Sequence, residues 1–279
     1  MTDIYHSFHA LQPHAQAQYL ELACTVHPTT LAEYRQFKEK VSIDVKQTQQ
    51  LTHVADVVKL CGIFDTNFYG LDCSGGEGID GNRRKAAGVF FEASRINHSC
   101  IPNATSQWEP SLQSLTVHAI EDIAAGEEIT ISYVEALRKR EERQQSLKGR
   151  YNFDCDCPAC DSTTVFGQMS DRSRGEADQL GRILMASKVG TEGLVRSTMG
   201  VLQLIQEECL GGIWETHARA ALTQALAHQG RMVEAVAELM KVMQCTRVCC
   251  GEDGRVYLEP KEKVDQIRRI LAGSRDGTA

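Results

Sequence analysis

Between Ile4 and Leu22 the apolar side chains Phe8, Leu11, Ala15, Tyr19 and Leu22 recur at helical spacing, and they predict one amphipathic helix that packs through that face. The stretch from about Leu31 to Leu60, with Leu51, Val54 and Val58 on one side, predicts a second helical run that yields to extended chain at "CGIFDTNFYG". The period then disappears. Residues 72 to 88, "DCSGGEGIDGNRRKAAG", are rich in glycine and charge and poor in apolar side chains, which predicts a surface loop of the kind that connects a hairpin. No Lys-Ser/Thr pair closes this loop and no strand-to-helix pattern follows it, so it is not read as a phosphate cradle. Four short runs of branched and aromatic residues come next: "GVFFEAS", "NATSQW", "LTVHAI" and "EITISYV", with "EDIAAGEE" supplying a turn at Gly126. These runs are short and are not interleaved with regular helices, so they predict small sheets and not a doubly wound one.

Polar and apolar positions change again beyond Tyr133. "EALRKREERQQSLKG", residues 135 to 149, reads as a charged, solvent-facing helix capped at Gly149. "DSTTVFGQMSDRSRG" reads as a polar linker, and helical periodicity dominates from about Glu176 to Ala272. Within that region two apolar-striped helices meet at Gln229-Gly230, like one pair of a tetratricopeptide array. His217, His228, Cys245, Cys249 and Cys250 lie there too, but without the paired spacing of a metal site they are read as packing residues.

Composition narrows the class. A chain of 279 residues, 42% hydrophobic and 24% charged, has no apolar run long enough to span a bilayer and is read as globular. The N-terminus lacks the basic-then-apolar pattern of a secretory leader, which predicts an intracellular protein, cytoplasmic and/or nuclear. In that setting eleven cysteines are expected as thiols or metal ligands and not as disulfides. A net charge of −7 disfavours direct nucleic-acid binding and favours basic protein segments as partners.

The cysteines that carry chemistry are Cys155, Cys157 and Cys160, spaced CxCxxC in "FDCDCPACD". Three thiolates so close suit one zinc ion and leave one tetrahedral position, for which Cys100 of "INHSCIPN" is the candidate. A site closed by four thiolates has no open position for water, so one structural Zn2+ contributing folding energy is expected, not Lewis-acid catalysis. Next to Cys100, Asn97 offers both donor and acceptor atoms, and His98 is able to satisfy a backbone group while fixing the approach to a ligand.

Three motifs in order, "SRINHSCIPNA", "IAAGEEITISY" and "YNFDCDCPAC", resemble the C-terminal half of a SET domain with its cysteine-rich post-SET segment, nearest to the SET and MYND branch and fungal SET proteins with helical tails. The resemblance implies an α+β fold: a partial SET-domain β core with a helical insert and a post-SET zinc segment, followed by an α-helical, tetratricopeptide-like domain. The implied partition is a SET domain over 1–160 (insert to about 62, catalytic half 63–134, post-SET 135–160), a linker over 161–178 and the helical domain over 179–279. It also implies an S-adenosylmethionine-dependent protein-lysine methyltransferase acting on a histone or non-histone lysine, with no membrane partner. Carried over by motif, Asn97 and His98 contact the methyl donor, with Ser94 and Arg95 entering the same site. Tyr133 is the active-site tyrosine. Phe153 stacks on the purine, Tyr151 walls the lysine channel, and Ser99 and Asn103 hold the turn together.

Two parts of the family pattern are not found ahead of these motifs: the glycine-rich GxG segment that gives backbone contacts to the donor, and the paired cysteines and histidine of a MYND finger. Two functional readings therefore stand side by side. One is a SET-type lysine methyltransferase; the other is a non-catalytic SET-derived scaffold whose helical tail binds a peptide.

Overall fold

A computed structural model describes residues 2–26, 54–77, 83–186, 192–252, 254 and 257–266. The chain forms two compact units, one of Met1–Ile96 with Gln145–Asp154 and one of Asn97–Gln144 with Cys155–Ala279.

In the first unit, helices α1 (Thr2–Ala10), α2 (Pro13–Leu20) and α3 (Val54–Asn67) accompany a hairpin of β1 (Phe68–Glu77) and β2 (Arg83–Val89). The single helix expected over 4–22 is two. Pro13 has no N–H and pushes the preceding residue out of the α region, and Gln12 is extended at φ −64°, ψ 151°. The Gln16 amide donates to the Phe8 and Leu11 carbonyls beside the break (3.2 and 3.1 Å). The periodicity marked the buried face only in part: Phe8, Tyr19 and Leu22 are buried with Leu60 and Ile63, and the Tyr19 hydroxyl donates to the Leu60 carbonyl at 2.8 Å, whereas Leu11, beside the break, is exposed and Ala15 is half-buried.

The second expected helix lies outside the described residues from Leu31 to His53, and its described part runs past the expected switch at Cys61 as far as Asn67. Burial of Cys61 and Ile63 extends it, and the Asn67 side chain closes it by donating to the Ala23 and Ile63 carbonyls (both 2.7 Å). Strands β1 and β2 pair antiparallel from Phe68↔Val89, with an irregularity between Asp72 and Glu77, so most of the stretch expected as a loop is strand. Backbone pairing needs no apolar side chains, which is why the pattern missed it. "GVFFEAS" is strand only at its first two residues; the chain then turns into a 3-10 segment, Ala93–Arg95, braced by the Tyr69 hydroxyl on the Ala93 carbonyl at 2.9 Å.

The second unit holds β3 (Asn97–His98) parallel to β6 (Thr130–Ile131), and an antiparallel hairpin of β4 (Ala104–Glu109) and β5 (Ser114–Ala119). Helix α4 (Arg140–Tyr151) contributes residues to both units. Helices α5 (Val165–Ala186), α6 (Glu192–Glu207), α7 (Ile213–His228) and α8 (Met232–Cys250) pack each on the next, α8 also lies against β4 and β5, and residues 257–266 are helical. Val195, Leu202, Leu222, Ala225, Leu226 and Ala235 form one core, and Ala136, Val201, Ile205 and Leu210, with Ile101 and Trp214 against them, form another. Gly230, at φ +74°, makes the α7–α8 turn where sequence placed it.

Two expectations change here. The stretch 161–178, read as a linker, is mostly α5, whose Ser170 and Arg174 are buried. Polar composition signalled a loop because inward-facing polar side chains cannot be told from solvated ones by pattern. The charged helix starts at Arg140, not Glu135, and does not stop at Gly149. It ends at Tyr151, where Asn152 takes the left-handed conformation at φ 58°. The α+β class, with small sheets followed by a helical region, is what the molecule has. None of the described helices is long and apolar enough to cross a membrane.

Candidate active site and metal centre

The β3–β6 bridge pairs Asn97 with Thr130 and His98 with Ile131. Two residues of parallel pairing hold little by themselves, and side chains complete the junction. Asn103, buried, donates to the Glu128 carbonyl at 2.9 Å and accepts the Thr130 amide at 2.8 Å. The Ser99 amide reaches the Ile131 carbonyl at 3.1 Å, and its hydroxyl bonds both the amide and the carbonyl of Ile101. The turn after β3 is thereby tied to the strand that delivers Tyr133.

His98 faces that strand. Its Nδ1 accepts the Tyr133 backbone N–H at 3.0 Å, and the two rings lie 5.3 Å apart at 41°. A neutral imidazole with an accepting Nδ1 carries its proton on Nε2, and Nε2 lies 3.3 Å from Cys100 Sγ. Burial pushes the His98 pKa down to about 4. Asn97 is exposed, with its amide donating to Glu128 Oε1 at 2.6 Å. Tyr133 is half-buried, followed by a turn in which the Ser132 hydroxyl donates to the Val134 carbonyl at 2.8 Å.

Tyr151 and Phe153 belong to the first unit, on either side of Asn152, with ring centroids 6.4 Å apart. The Arg150 guanidinium lies over both Phe68 (4.5 Å) and Tyr151 (5.2 Å) and donates to the Asp65 carbonyl at 3.3 Å, which fixes the end of α4 over β1. Burial raises the Tyr151 phenol's pKa. Ser94 and Arg95 share this unit; Arg95 pairs with Glu21 at 3.1 Å on the surface.

The Sγ atoms of Cys100, Cys155, Cys157 and Cys160 all lie within 4.8 Å of one another, and Cys100 and Cys160 approach to 3.5 Å. A tetrahedral ion with bonds of about 2.3 Å sets its sulfurs about 3.8 Å apart, so the spacing suits a metal ion and is far too long for a disulfide of about 2.05 Å. The backbone builds this set locally. A 3-10 turn over Pro158–Cys160, closed by the Cys160 amide on the Cys157 carbonyl at 2.8 Å, presents two of the thiols. Gln144 of α4 clamps both backbone groups of Cys155, accepting its N–H at 2.9 Å and donating to its carbonyl at 2.6 Å. Among the bare thiols, hydrogen bonds with Cys100 and its neighbours hold Cys157 well below the thiol range, while hydrogen bonds with Cys155, Cys157 and Cys160, and then burial, raise Cys100.

Sequence reasoning did not single out the side chains that back this cluster. Arg143, 1% exposed, donates Nε to Cys100 Sγ at 3.2 Å and Nη2 to Cys160 Sγ at 3.5 Å and to the Ala159 carbonyl at 3.1 Å. Arg174 of α5, fully buried, donates Nη1 to the carbonyls of Cys100 (3.1 Å) and Ala136, and Nε to Ser170 and Glu208 (both 3.0 Å). The one available signal was Leu147, four residues after Arg143 on the same face of a helix otherwise almost wholly polar.

Comparison with known proteins follows the same lines. Residues 12–134 match the model of the SET domain. The chain is 26% identical over 247 residues to set5 of Schizosaccharomyces pombe, named a histone-lysine N-methyltransferase, covering 86% of this chain and 74% of that protein. It is 30% identical over 165 residues to mouse SMYD3 and 36% identical over 138 residues to ASHR1 of Arabidopsis thaliana, both also named histone-lysine N-methyltransferases. The matches cover 58% and 46% of this chain but only 33% and 28% of those relatives.

Proposed function

Because the chain belongs to the SET-domain family, in its SET and MYND-like branch, we propose that it is an S-adenosylmethionine-dependent protein-lysine N-methyltransferase in which Tyr133 is the catalytic residue. The observation that carries the reading is the β3–β6 bridge, which puts the backbone of Tyr133 against the ring of His98 across 35 residues of sequence. Asn97 and His98 line the donor site and Phe153 stacks on the purine. The donor supplies an electrophilic methyl on a sulfonium. The protein's work is then to align a neutral lysine amine with it, by proximity and by fixed dipoles, without a covalent intermediate. Tyr133 orients the amine, and Tyr151, an aromatic wall with a half-buried phenol, favours its uncharged form by excluding water.

Cys100, Cys155, Cys157 and Cys160 hold one structural Zn2+; four sulfur donors in a closed, mostly buried set fit zinc and leave no position for a reacting water. The SET portion runs to about residue 160 and a tetratricopeptide-like tail follows, beginning with α5 in place of a linker. The substrate is a protein lysine, histone or non-histone, in the cytoplasm and/or nucleus, with neither nucleic acid nor membrane as a direct partner. A second reading, a non-catalytic SET-derived scaffold with a peptide-binding helical tail, draws on Val165, Phe166 and Met169, apolar side chains exposed together at the start of α5.

Calorimetric titration with S-adenosylmethionine separates the two. The methyltransferase reading expects saturable binding and transfer to lysine peptides that falls at least about 100-fold in Tyr133→Phe with zinc content unchanged. Absence of saturable heat at millimolar donor favours the scaffold, and equal rates in the variant remove Tyr133 from catalysis.

A further inference from the structure

Both ring nitrogens of His98 are engaged inside the protein, one on a cysteine of the thiol cluster and the other on the backbone of Tyr133. We propose that His98 is a positioning residue, a relay through which the metal centre sets the placement of the catalytic tyrosine. The proposal rests on reading the four thiols as a metal site and Tyr133 as catalytic.

The direction of each bond follows from the donors. An amide nitrogen always donates, so the Tyr133 N–H at 3.0 Å makes Nδ1 an acceptor and leaves the proton on Nε2. That N–H then points at Cys100 Sγ, 3.3 Å away, where Arg143 Nε arrives from another side at 3.2 Å. Two N–H donors converging on one buried sulfur call for a thiolate, the form a metal ligand takes. The chain therefore reads, from the metal outward, thiolate sulfur, Hε2–Nε2, Nδ1, and the amide hydrogen of Tyr133. An anionic sulfur polarises the imidazole so that Nδ1 accepts more strongly, and bonds in such a chain reinforce one another. With its nitrogens so committed, the imidazole turns only its faces and edges to other groups, and hydrogen bonding to the methyl donor falls to the backbone of β3 and to Asn97.

The opposite tautomer has an acceptor of its own. The Ile131 carbonyl, which takes the Ser99 amide, also lies beside the ring. A proton on Nδ1 directed there would break the relay at both ends, so the tautomer is the quantity to measure.

The native, zinc-loaded chain labelled with 15N-histidine provides it through long-range proton–nitrogen correlation at neutral pH, with the His98 signal identified by its loss in His98→Asn. The relay expects the Nε2–H form; the Nδ1–H form or the imidazolium overturns it. Paired variants then separate the two ends. Asn places an amide where Nδ1 was and falls short of Cys100, whereas Gln reaches the Nε2 position and leaves the Tyr133 amide without its acceptor. In cobalt-substituted protein, His98→Asn should move the sulfur-to-cobalt charge-transfer band to lower energy while His98→Gln leaves it near native. The Tyr133 amide resonance of 15N-tyrosine-labelled protein should respond in the reverse order. Native spectra for both variants, or a chain that takes up no cobalt, overturn the relay. None of these readouts needs donor or substrate, so a chain that shows the relay but transfers no methyl group overturns only the catalytic reading. Should neither variant fold, the tautomer of the native chain still decides.

Discussion

Arg143 places its guanidinium against Cys100, Nε to Sγ at 3.2 Å, in an interior that leaves the arginine 1% exposed. A divalent ion with four thiolates carries net negative charge, and burying it is costly unless an opposite charge lies close. Arg143 supplies that charge. Arg143→Met should weaken metal binding by about 10- to 100-fold in chelator competition, the range seen when groups behind metal ligands are removed. Arg143→Lys keeps the charge but loses the fork that reaches two sulfurs and a carbonyl, and should fall in between.

The metal itself is testable by removal. Four thiols from positions 100 and 155 to 160 gain little from proximity without an ion, since thiols repel as they ionise, so binding and folding should be linked. Freshly purified protein should contain one zinc per chain. Cys157→Ser or chelation should lower the melting temperature and remove the zinc together; an unchanged melt after complete stripping would show that the cluster does not brace the fold.

Where these features were legible is physically instructive. Thiol spacing carries its chemistry in the sequence, so the four cysteines that the structure gathers were named from it, and the turn residues Ser99 and Asn103 were read from their motif. Arg143, Ser170 and Arg174 were not, because hydropathy assigns charge and polarity to solvent, and only tertiary context reveals a buried partner. Helix limits failed for a different reason. The Pro13 break and the Asn152 stop are decided by single backbone positions, and Gly149, the residue best suited to a stop, lies inside the helix. A reading that looked for apolar alternation took residues 72 to 88 as the connection of a hairpin and missed that most of them are its strands, because the β1–β2 pairing runs through glycine and charged residues.

Arg174 and Glu208 form a buried pair, 3.0 Å apart, with the Ser170 hydroxyl between them. Burial and the nearby Arg143 both push the Arg174 pKa down, which makes Glu208 the compensating anion. Glu208→Gln should leave a cation stranded in the core and cost about 3–5 kcal/mol in urea unfolding. Glu207, one residue earlier and on the surface, serves as control; Glu207→Gln should change stability by less than about 0.5 kcal/mol. Equal effects would mean that the pair contributes nothing beyond surface charge.

Gly167 lets α5 pack closely against the cysteine turn. A Cβ at this position would run into the Asp161 carbonyl and crowd that of Pro158, both backbone atoms of the segment that carries Cys157 and Cys160. Backbone cannot step aside as a flexible side chain does, so either α5 shifts or the 3-10 turn opens. Helix propensity alone predicts that Gly167→Ala stabilises, by about 1 kcal/mol. The clash predicts the opposite sign, destabilisation together with faster loss of metal to a chelator. Gly193, in α6 with open space where its Cβ would stand, tests the distinction: Gly193→Ala should follow helix propensity and leave metal retention unchanged.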